Sequence, residues 1–204
     1  MGLYSKYILP KVIHKVCGLK PTMIQRGKVI PEAKGRVLEI GIGSGLNIPY
    51  YDEKKVSQLV GLDPYPHSKA LHEAAESSPL QFEFIRESAE QLSMENSEFD
   101  TVVSTYTFCT IDQLKESLSE IKRVLKSSGQ LIFVEHGKAP DDKVLKTQNR
   151  INPIWKKISG GCNLNKNIPE ILEKNGFKIS NLETMYLPGW KPATYNFWGF
   201  AQTQ

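Results

Sequence analysis

The stretch Arg36-Val-Leu-Glu-Ile-Gly-Ile-Gly-Ser-Gly45 joins a short apolar run to a glycine-rich turn. Residues 36–40 are predicted to form a buried strand, which is entered through the turn at Lys34-Gly35. Glycines let the backbone adopt positive φ angles and bring its N–H groups close to a ligand. We therefore expect a strand that runs directly into a ligand-binding turn.

Further apolar runs on both sides of helical patterns extend this strand into a sheet. Strands are predicted at residues 59–63, 82–85, 101–104 and 130–135. One amphipathic helix carries Leu114, Leu118, Ile121, Val124 and Leu125 and is predicted to stop at Ser127-Ser128-Gly129. Strands that alternate with helices and are this apolar indicate a parallel sheet covered on both faces. The pattern predicts a doubly wound α/β domain.

The last part of the chain departs from this alternation. Residues 179–187 and 195–201 are predicted strands, with only Pro188, Gly189 and Pro192 as punctuation between them. Two strands without an intervening helix favour an antiparallel pair at one edge of the sheet. The expected fold is therefore a mostly parallel, seven-stranded, Rossmann-like sheet with an antiparallel edge pair.

Composition excludes several classes of protein. The chain has 204 residues with 40% hydrophobic and 24% charged residues, which is typical of one globular domain, 1–204. Its three cysteines form no C-x-x-C pair, so we expect neither a disulfide framework nor a structural zinc site. Reduced cysteines of this kind predict a cytoplasmic location. No apolar run is long enough for a membrane-spanning helix.

Positive charge is concentrated near the N-terminus. Residues 1–40 hold eight lysines and arginines against Glu32 and Glu39, a local charge of +6 in a chain of net charge +4. Such a region is either a solvated face or a contact for phosphate or an anionic membrane surface. A nucleic-acid partner is not expected, because the excess is confined to this region.

The spacing of the glycines separates this turn from two common phosphate-binding motifs. A dinucleotide fingerprint needs Gly or Ala where this chain has Leu46, and a P-loop needs Gly-Lys-Ser/Thr, which is absent. Asp63 ends the second strand, 18 residues after Gly45, where an acidic side chain can accept hydrogen bonds from both ribose hydroxyls. The alternative is a turn aspartate beside Pro64. The pattern favours a nucleoside-type ligand without a pyrophosphate.

These residues together resemble a known family. Glu39 to Gly45, Asp63, Ser88-Ala89-Glu90 and Phe99-Asp100 resemble the successive motifs of class I S-adenosylmethionine-dependent methyltransferases. Further motifs are similar to one subgroup, which includes animal thiol S-methyltransferases and bacterial homologues labelled phospholipid methyltransferases: Asp63-Pro64, Thr107-Phe-Cys-Thr-Ile111, Arg123-Val-Leu-Lys126, Glu135-His136-Gly137 and Gly161-Cys162-Asn163-Leu164. The resemblance runs from about Tyr4 to Ala201.

The resemblance implies S-adenosylmethionine as cofactor, S-adenosylhomocysteine as product and no metal. It divides the chain into an N-terminal lid region, 1–30, a cofactor-binding core, 31–140, and an acceptor-side region with the C-terminal strands, 141–204. Glu39 would face the methionine ammonium, Asp63 the ribose diol, and Ser88 would stand where many relatives have Asp. The complete cofactor set implied is Glu39, Gly41, Gly43, Gly45, Asn47, Asp63, Pro64, Ser88, Ala89, Glu90, Ser104 and Thr105.

Proton handling at the acceptor is the least determined part of the site. His136 follows the fifth strand, where it would act as a base or pack structurally against Gly160-Gly161. Tyr106 is a second catalytic candidate and Asp112 a lesser one. Cys109 and Cys162 have no triad-like partner in the sequence and are interpreted as small buried hydrophobes. The four histidines show no metal-binding spacing.

The N-terminal stripe and the acceptor leave alternatives open. Apolar residues at helical spacing predict either a lid packed over the cofactor or a helix at the membrane surface: Tyr4, Ile8, Val12, Ile13 and Val16. The expected reaction is methyl transfer to a small-molecule acceptor, first a thiol by resemblance to the subgroup. The alternatives are N-methylation of a phospholipid amine, with peripheral membrane contact, and a non-catalytic cofactor-binding module.

Overall fold

A computed structural model of the chain describes residues 8–65 and 68–204. Tyr4, the first residue of the predicted N-terminal stripe, lies outside the described residues. The helices are α1 (Leu9–Cys17), α2 (Lys20–Val29), α3 (Ser68–Glu76), α4 (Leu114–Val124), α5 (Asp142–Ile158), α6 (Ile168–Lys174) and α7 (Lys191–Thr194). The strands are β1 (Gly35–Ile40), β2 (Val56–Leu62), β3 (Phe82–Ile85), β4 (Phe99–Thr105), β5 (Leu125–His136), β6 (Phe177–Tyr186) and β7 (Tyr195–Thr203).

The strands form one seven-stranded sheet in the order β3-β2-β1-β4-β5-β7-β6. The chain moves outward from β1 to β3 and then returns to the other side of β1 at β4, so the order reverses between β1 and β4. In open α/β sheets, ligands bind at the carboxyl ends of the strands beside such a switch point. The doubly wound fold predicted from the sequence is confirmed, and it places the candidate site beside β1 and β4.

Apolar side chains cover both faces of the sheet. One buried cluster includes Leu38, Val102 and Phe133, packed with the apolar stripe of α4. The other includes Val37, Val103 and Ile132, packed with Val29 of α2. Alternate residues of each strand therefore enter opposite layers, which is why the strands read as continuous apolar runs.

The antiparallel pair at the edge is also confirmed. β7 pairs antiparallel with β5, with His136 opposite Asn196, and also pairs antiparallel with β6. The connection between β6 and β7 contains only the four-residue helix α7. Asn196 is thereby brought to the edge of the sheet that carries the candidate site.

One boundary differs from the prediction. α4 ends at Val124 and β5 begins at Leu125, so the turn signal at 127–129 lies inside the strand. The register changes there, because Leu125 stands opposite Phe99 whereas Gln130 stands opposite Thr101. The polar and glycine residues form an irregularity in the strand instead of ending the helix.

Helix α1 is amphipathic, but most of its apolar side chains are exposed. Leu9 is buried and lies next to Gly160, whereas Ile8, Val12 and Val16 are about half exposed. Pro10 lies in the first turn of α1 and begins the helix, since that position needs no backbone N–H donor. The lid and the membrane-surface helix both remain predictions for these exposed residues. Among the residues described, no helix is long and apolar enough to span a bilayer.

Candidate functional site

The carboxyl ends of the parallel strands meet around the glycine-rich turn. Gly41 N–H donates to the Leu62 carbonyl at 2.7 Å, which joins the end of β1 to the end of β2. Tyr106 N–H donates to the Val134 carbonyl at 2.7 Å and joins the end of β4 to β5. The residues predicted after these strands are therefore neighbours in space.

The three glycines of the turn share a left-handed backbone but not their surroundings. Gly41, Gly43 and Gly45 have φ angles of 69°, 54° and 75°. A Cβ at Gly41 would overlap the Thr107 side chain, and one at Gly45 would lie 2.9 Å from Ile48 Cδ1. A Cβ at Gly43 would have the Gly41 carbonyl, 3.9 Å away, as its nearest neighbour. Gly43 therefore faces open space that a ligand can fill.

Asp63 fixes this turn from the end of β2. Its carboxylate accepts hydrogen bonds from Gly43 N–H at 3.0 Å and from Tyr65 N–H at 2.8 Å. Pro64 and Tyr65 beside it are exposed. These contacts are those expected of a turn aspartate. The position at the end of β2 is the one expected of a ribose-binding aspartate.

Glu39 is a carboxylate enclosed by protein. Tyr51 Oη donates to it at 2.6 Å and Asn47 Nδ2 at 3.0 Å, and 2% of the residue is exposed. Burial raises the pKa of Glu39 to about 7, against these two hydrogen bonds and the charge of Arg26, which lower it. The carboxyl group can therefore bind or release a proton near neutral pH.

Arg26 reaches the same network from α2, and the sequence analysis did not identify it. Its Nη1 donates to Asn47 Oδ1 at 2.8 Å and to Thr105 Oγ1 at 2.5 Å. The residue is 4% exposed, and its Nε is buried without a hydrogen-bond partner among the described residues. A buried guanidinium with an unused donor is suited to an anionic ligand group. No sequence signal distinguishes it from the other basic residues of the region.

The segment after β3 is more exposed. Ser88 Oγ donates to the Glu90 carboxylate, and Ser88 is exposed, whereas Ala89 is buried. This segment follows the strand next to β2, on the Asp63 side of the glycine turn. β2 separates this strand from β1, which carries Glu39.

Ser104 is directed into the protein and not into this space. It is fully buried, and its Oγ donates to Glu135 Oε1 at 3.2 Å. Glu135 also accepts the backbone N–H groups of Thr107 and Phe108, each at 2.8 Å. Glu135 is therefore the anchor of the loop after β4, a role the sequence analysis missed. A charged residue after the apolar run 131–134 was the available signal, since buried carboxylates need several donors.

Tyr106 and Asp112 are both engaged in other contacts. Tyr106 has a φ of 54°, and its Oη donates to Asn196 Oδ1 at 2.7 Å. Burial raises the pKa of Tyr106 well above its ordinary value. Asp112 forms an ion pair with Lys156 at 2.5 Å on the surface. Neither group is suited to accept a proton from a substrate.

His136 has a partner that the sequence analysis did not foresee. Its Nε2 lies 3.0 Å from Cys162 Sγ, and its Nδ1 is buried without a partner among the described residues. Cys109 Sγ lies in the same cluster. The interpretation of the two cysteines as small hydrophobes without a polar partner is therefore wrong, because two loops distant in sequence converge on one histidine.

The charge state of this cluster follows from its contacts. Hydrogen bonding from Cys109, and the neighbouring His136, lower the pKa of the Cys162 thiol, although burial opposes this. Burial acts to lower the pKa of His136, but the adjacent Cys162 outweighs it and raises that pKa. Each shift favours the charged form of its own group, because a thiolate and an imidazolium at this distance attract one another.

Comparisons with known proteins agree with this architecture. A family model described as "Methyltransferase domain" matches residues 38–133. Human thiol S-methyltransferase TMT1B is 31% identical over 210 residues, which cover 97% of this chain and 85% of that protein. Its rat counterpart is 32% identical over 166 residues, with 79% of this chain and 65% of the relative covered.

Two further matches broaden the comparison. Phosphatidylethanolamine N-methyltransferase of Cereibacter sphaeroides is 28% identical over 106 residues, with 50% of this chain and 51% of that enzyme covered. The crystal structure of an S-adenosylmethionine-dependent methyltransferase from Thermotoga maritima superposes with a TM-score of 0.66 at 16% identity, covering 98% of both chains. That likeness concerns the fold alone.

Proposed function

Since this chain belongs to the class I S-adenosylmethionine-dependent methyltransferases, we propose that its acceptor is a small thiol and that it is a thiol S-methyltransferase. The similarity to the human thiol S-methyltransferase, over nearly the whole chain, is the observation that carries the choice of acceptor. The engaged state of Tyr106 and Asp112 supports it, because a thiolate acceptor needs no dedicated base at the moment of transfer.

The described residues fit the cofactor at both of its ends. We assign Glu39 to the methionine ammonium and the unused Nε–H of Arg26 to the methionine carboxylate. Asn47 and Thr105 hold Arg26 in place by hydrogen bonds, and Gly43 leaves room for the ligand backbone. Gly41 and Gly45 shape the turn.

The nucleoside end is assigned to the residues that follow β2 and β3. Asp63 takes the ribose diol from the end of β2, where its carboxylate also bonds Gly43 and Tyr65 in the turn. Pro64 borders the adenine, and Ser88, Ala89 and Glu90 border its far edge. Ser104 is assigned an indirect role, because its hydroxyl bonds Glu135, which holds the loop after β4.

When bound, the cofactor supplies a methyl group on a sulfonium. The protein's part is to hold the acceptor sulfur in line, about 3–3.5 Å from that methyl group, and to exclude water. Cys162 occupies Nε2 of His136, so Nδ1 of the neutral ring, which has no partner among the described residues, is assigned to take up the acceptor's proton.

The test is methyl transfer from labelled S-adenosylmethionine to a small alkyl thiol and, in parallel, to phosphatidylethanolamine vesicles. Label in the thioether product alone is the expected result. Cofactor binding without label in either product would contradict the proposed acceptor and favour a binding function without catalysis.

One observation favours a lipid amine as second candidate. Ile8, Val12 and Val16 form an exposed apolar stripe on α1, and Lys11 and Lys15 lie beside it. Such a face is suited to the headgroup region of an anionic membrane. Sedimentation with anionic vesicles that is lost in Val12→Glu/Val16→Glu, together with label in the lipid, would establish this candidate in place of the thiol.

A further inference from the structure

Three metal-binding side chains from separate segments converge beside the candidate site. The ligand atoms of Cys109, His136 and Cys162 all lie within 4.8 Å of one another. Cys109 follows β4, His136 ends β5, and Cys162 lies in the loop after α5. The convergence is therefore produced by the tertiary fold, which explains why no spacing in the sequence revealed it.

Contacts that do not involve sulfur hold the two cysteines in these positions. The Cys109 carbonyl accepts hydrogen bonds from both Asn163 N–H and Asn163 Nδ2, each at 3.0 Å. Asn152 in turn bonds Asn163 and Leu164 N–H, which ties this loop to α5. On the other side, Glu135 holds the backbone before Cys109. The cluster is thus preorganised.

Two thiolates and one imidazole are a donor set suited to zinc. Zn–S distances of about 2.3 Å and Zn–N distances of about 2.0–2.1 Å place tetrahedral ligand atoms roughly 3.6–3.8 Å apart. The His136 Nε2–Cys162 Sγ separation is 3.0 Å, and no two of the three ligand atoms are more than 4.8 Å apart, a range that includes these spacings. Trp155 Nε1 donates to Cys162 Sγ at 3.4 Å, an outer-shell contact of the kind that orients a metal ligand.

We propose that Cys109, His136 and Cys162 bind one Zn²⁺ ion and leave its fourth coordination position open. Within 8–65 and 68–204, no fourth Cys, His, Asp or Glu belongs to the group. Three protein ligands with an open position are typical of zinc sites that bind a substrate atom. Cys109 and His136 are almost fully buried, whereas Cys162 is half-buried, so the open position is reached from the Cys162 side.

The metal site stands independently of the proposed function. The role of the zinc ion in the reaction, however, rests on the proposed thiol acceptor. A thiol that enters the open position forms a Zn–S bond and releases its proton to solvent. The bound sulfur then forms the new S–CH₃ bond as the sulfonium C–S bond breaks, and the thioether leaves. The zinc ion takes over the role assigned to His136, whose ring is then a ligand.

The test measures metal binding directly. The full chain is purified with reductant and zinc, freed of loose metal, and analysed for zinc; cobalt is then substituted and the thiolate-to-cobalt absorption recorded. Wild type and the control Cys17→Ser are expected to hold about one metal ion per chain. Cys109→Ser, Cys162→Ser and His136→Gln are each expected to lose most of it. Melting curves and cofactor binding verify that these variants fold.

A measurement on the unmutated protein covers the case of unfolded variants. Zinc should slow alkylation of Cys162 relative to the same protein without zinc. Reduced wild type that binds neither zinc nor cobalt, or a Cys109–Cys162 disulfide that persists with reductant and zinc present, would overturn the proposal. Stoichiometric metal without thiol methylation would leave the metal site established and refute only the proposed acceptor.

Discussion

Glu39 couples cofactor binding to a proton. In the free protein burial raises its pKa to about 7, whereas the methionine ammonium favours the ionised carboxylate. Affinity for S-adenosylmethionine should therefore rise as the pH increases toward 7, and fall again above about 8, where the α-amino group loses its proton. Calorimetry across this pH range measures both changes in affinity. Glu39→Gln should remove the rise in affinity toward pH 7.

The same group affects stability with the opposite sign. An acid whose pKa is higher in the folded state loses its proton first in the unfolded chain, so the free energy of unfolding falls between pH 4.5 and about 7. Denaturant melts of cofactor-free wild type should show this decline, which Glu39→Gln should reduce. Equal pH profiles for the two proteins would contradict the buried, protonated state.

Asp63 is expected to dominate recognition of the ribose. Asp63→Ala removes charge-assisted hydrogen bonds and should weaken cofactor binding tenfold or more, about 1.4 kcal/mol. Asp63 bonds Gly43 N–H through one oxygen and Tyr65 N–H through the other. Asp63→Asn keeps one of these two bonds, so its denaturation midpoint, compared with that of Asp63→Ala, measures how far the turn itself is lost. Unchanged affinity of the alanine variant in calorimetry would remove the ribose assignment.

At the residue scale, the sequence predicted the site unevenly. Glu39, Gly43 and Asp63 were recognisable because each stands at a fixed place relative to a strand end. Arg26 and the partnership of His136 with Cys162 were not, because they depend on where α2 and the loop after α5 pack. Tertiary packing of distant segments has no local signal in one sequence.

Within the glycine-rich turn, two positions should respond differently to the same substitution. Gly43→Ala places a Cβ in open space with φ at 54°, so it should cost about 1–2 kcal/mol of stability while strongly weakening cofactor binding. Gly41→Ala also overlaps Thr107, so it should destabilise the protein more. Urea denaturation and cofactor titration separate the two effects.

Thr107 provides the matched control for this pair. A Thr107→Ala background removes the two atoms that overlap the added Cβ and leaves the residue 107 Cβ at 3.0 Å, so the additional stability loss of Gly41→Ala should shrink toward that of Gly43→Ala. A loss that does not depend on Thr107 would assign the whole effect to backbone strain.

α2 is expected to be fastened to the site by one side chain. Arg26→Met keeps an apolar stem but removes the Arg26 donor from Asn47 Oδ1 and one of two donors from Thr105 Oγ1, which Asn47 Nδ2 still bonds. The change should cost about 1–3 kcal/mol of stability and weaken cofactor binding. Lys20→Met removes an exposed charge from the same helix and serves as control. Equal denaturation midpoints for both variants would contradict the role of Arg26.

Element boundaries were predicted where apolar periodicity and strand ends coincide, as for β3. The start of β5 was not, because a serine and glycine turn signal has the same sequence whether it ends a helix or bulges from a strand. The exposure of the α1 stripe was also unpredictable, since amphipathicity indicates an apolar face but not what covers it.

At the scale of the molecule, the cofactor should stabilise the whole domain and the N-terminal helices with it. At a concentration of about 100 Kd, binding adds about 2.7 kcal/mol, or roughly 5–10 °C in Tm for a domain of this size. His14 Nδ1 lies 2.7 Å from Ser44 Oγ, and Arg26 bonds Asn47, so α1 and α2 should gain protection from hydrogen exchange. Asp63→Ala under the same conditions is the control.

The fold class was predictable because alternating buried strands and helices admit few arrangements. The antiparallel edge was predictable from the absence of a crossover helix between the last two strands. The order β5-β7-β6 was not, because either strand of the pair could have joined β5.

That strand order has a consequence for biosynthesis. β7 follows β5 and β6 in the chain, yet it lies between them in the sheet, so both of its neighbours are made before it. Until residues 195–203 emerge, the nascent chain carries β5 as an open sheet edge that can pair with another chain. A ribosome that stops before Tyr195 therefore releases an aggregation-prone polypeptide and not a smaller methyltransferase, although every residue assigned to the cofactor has been translated.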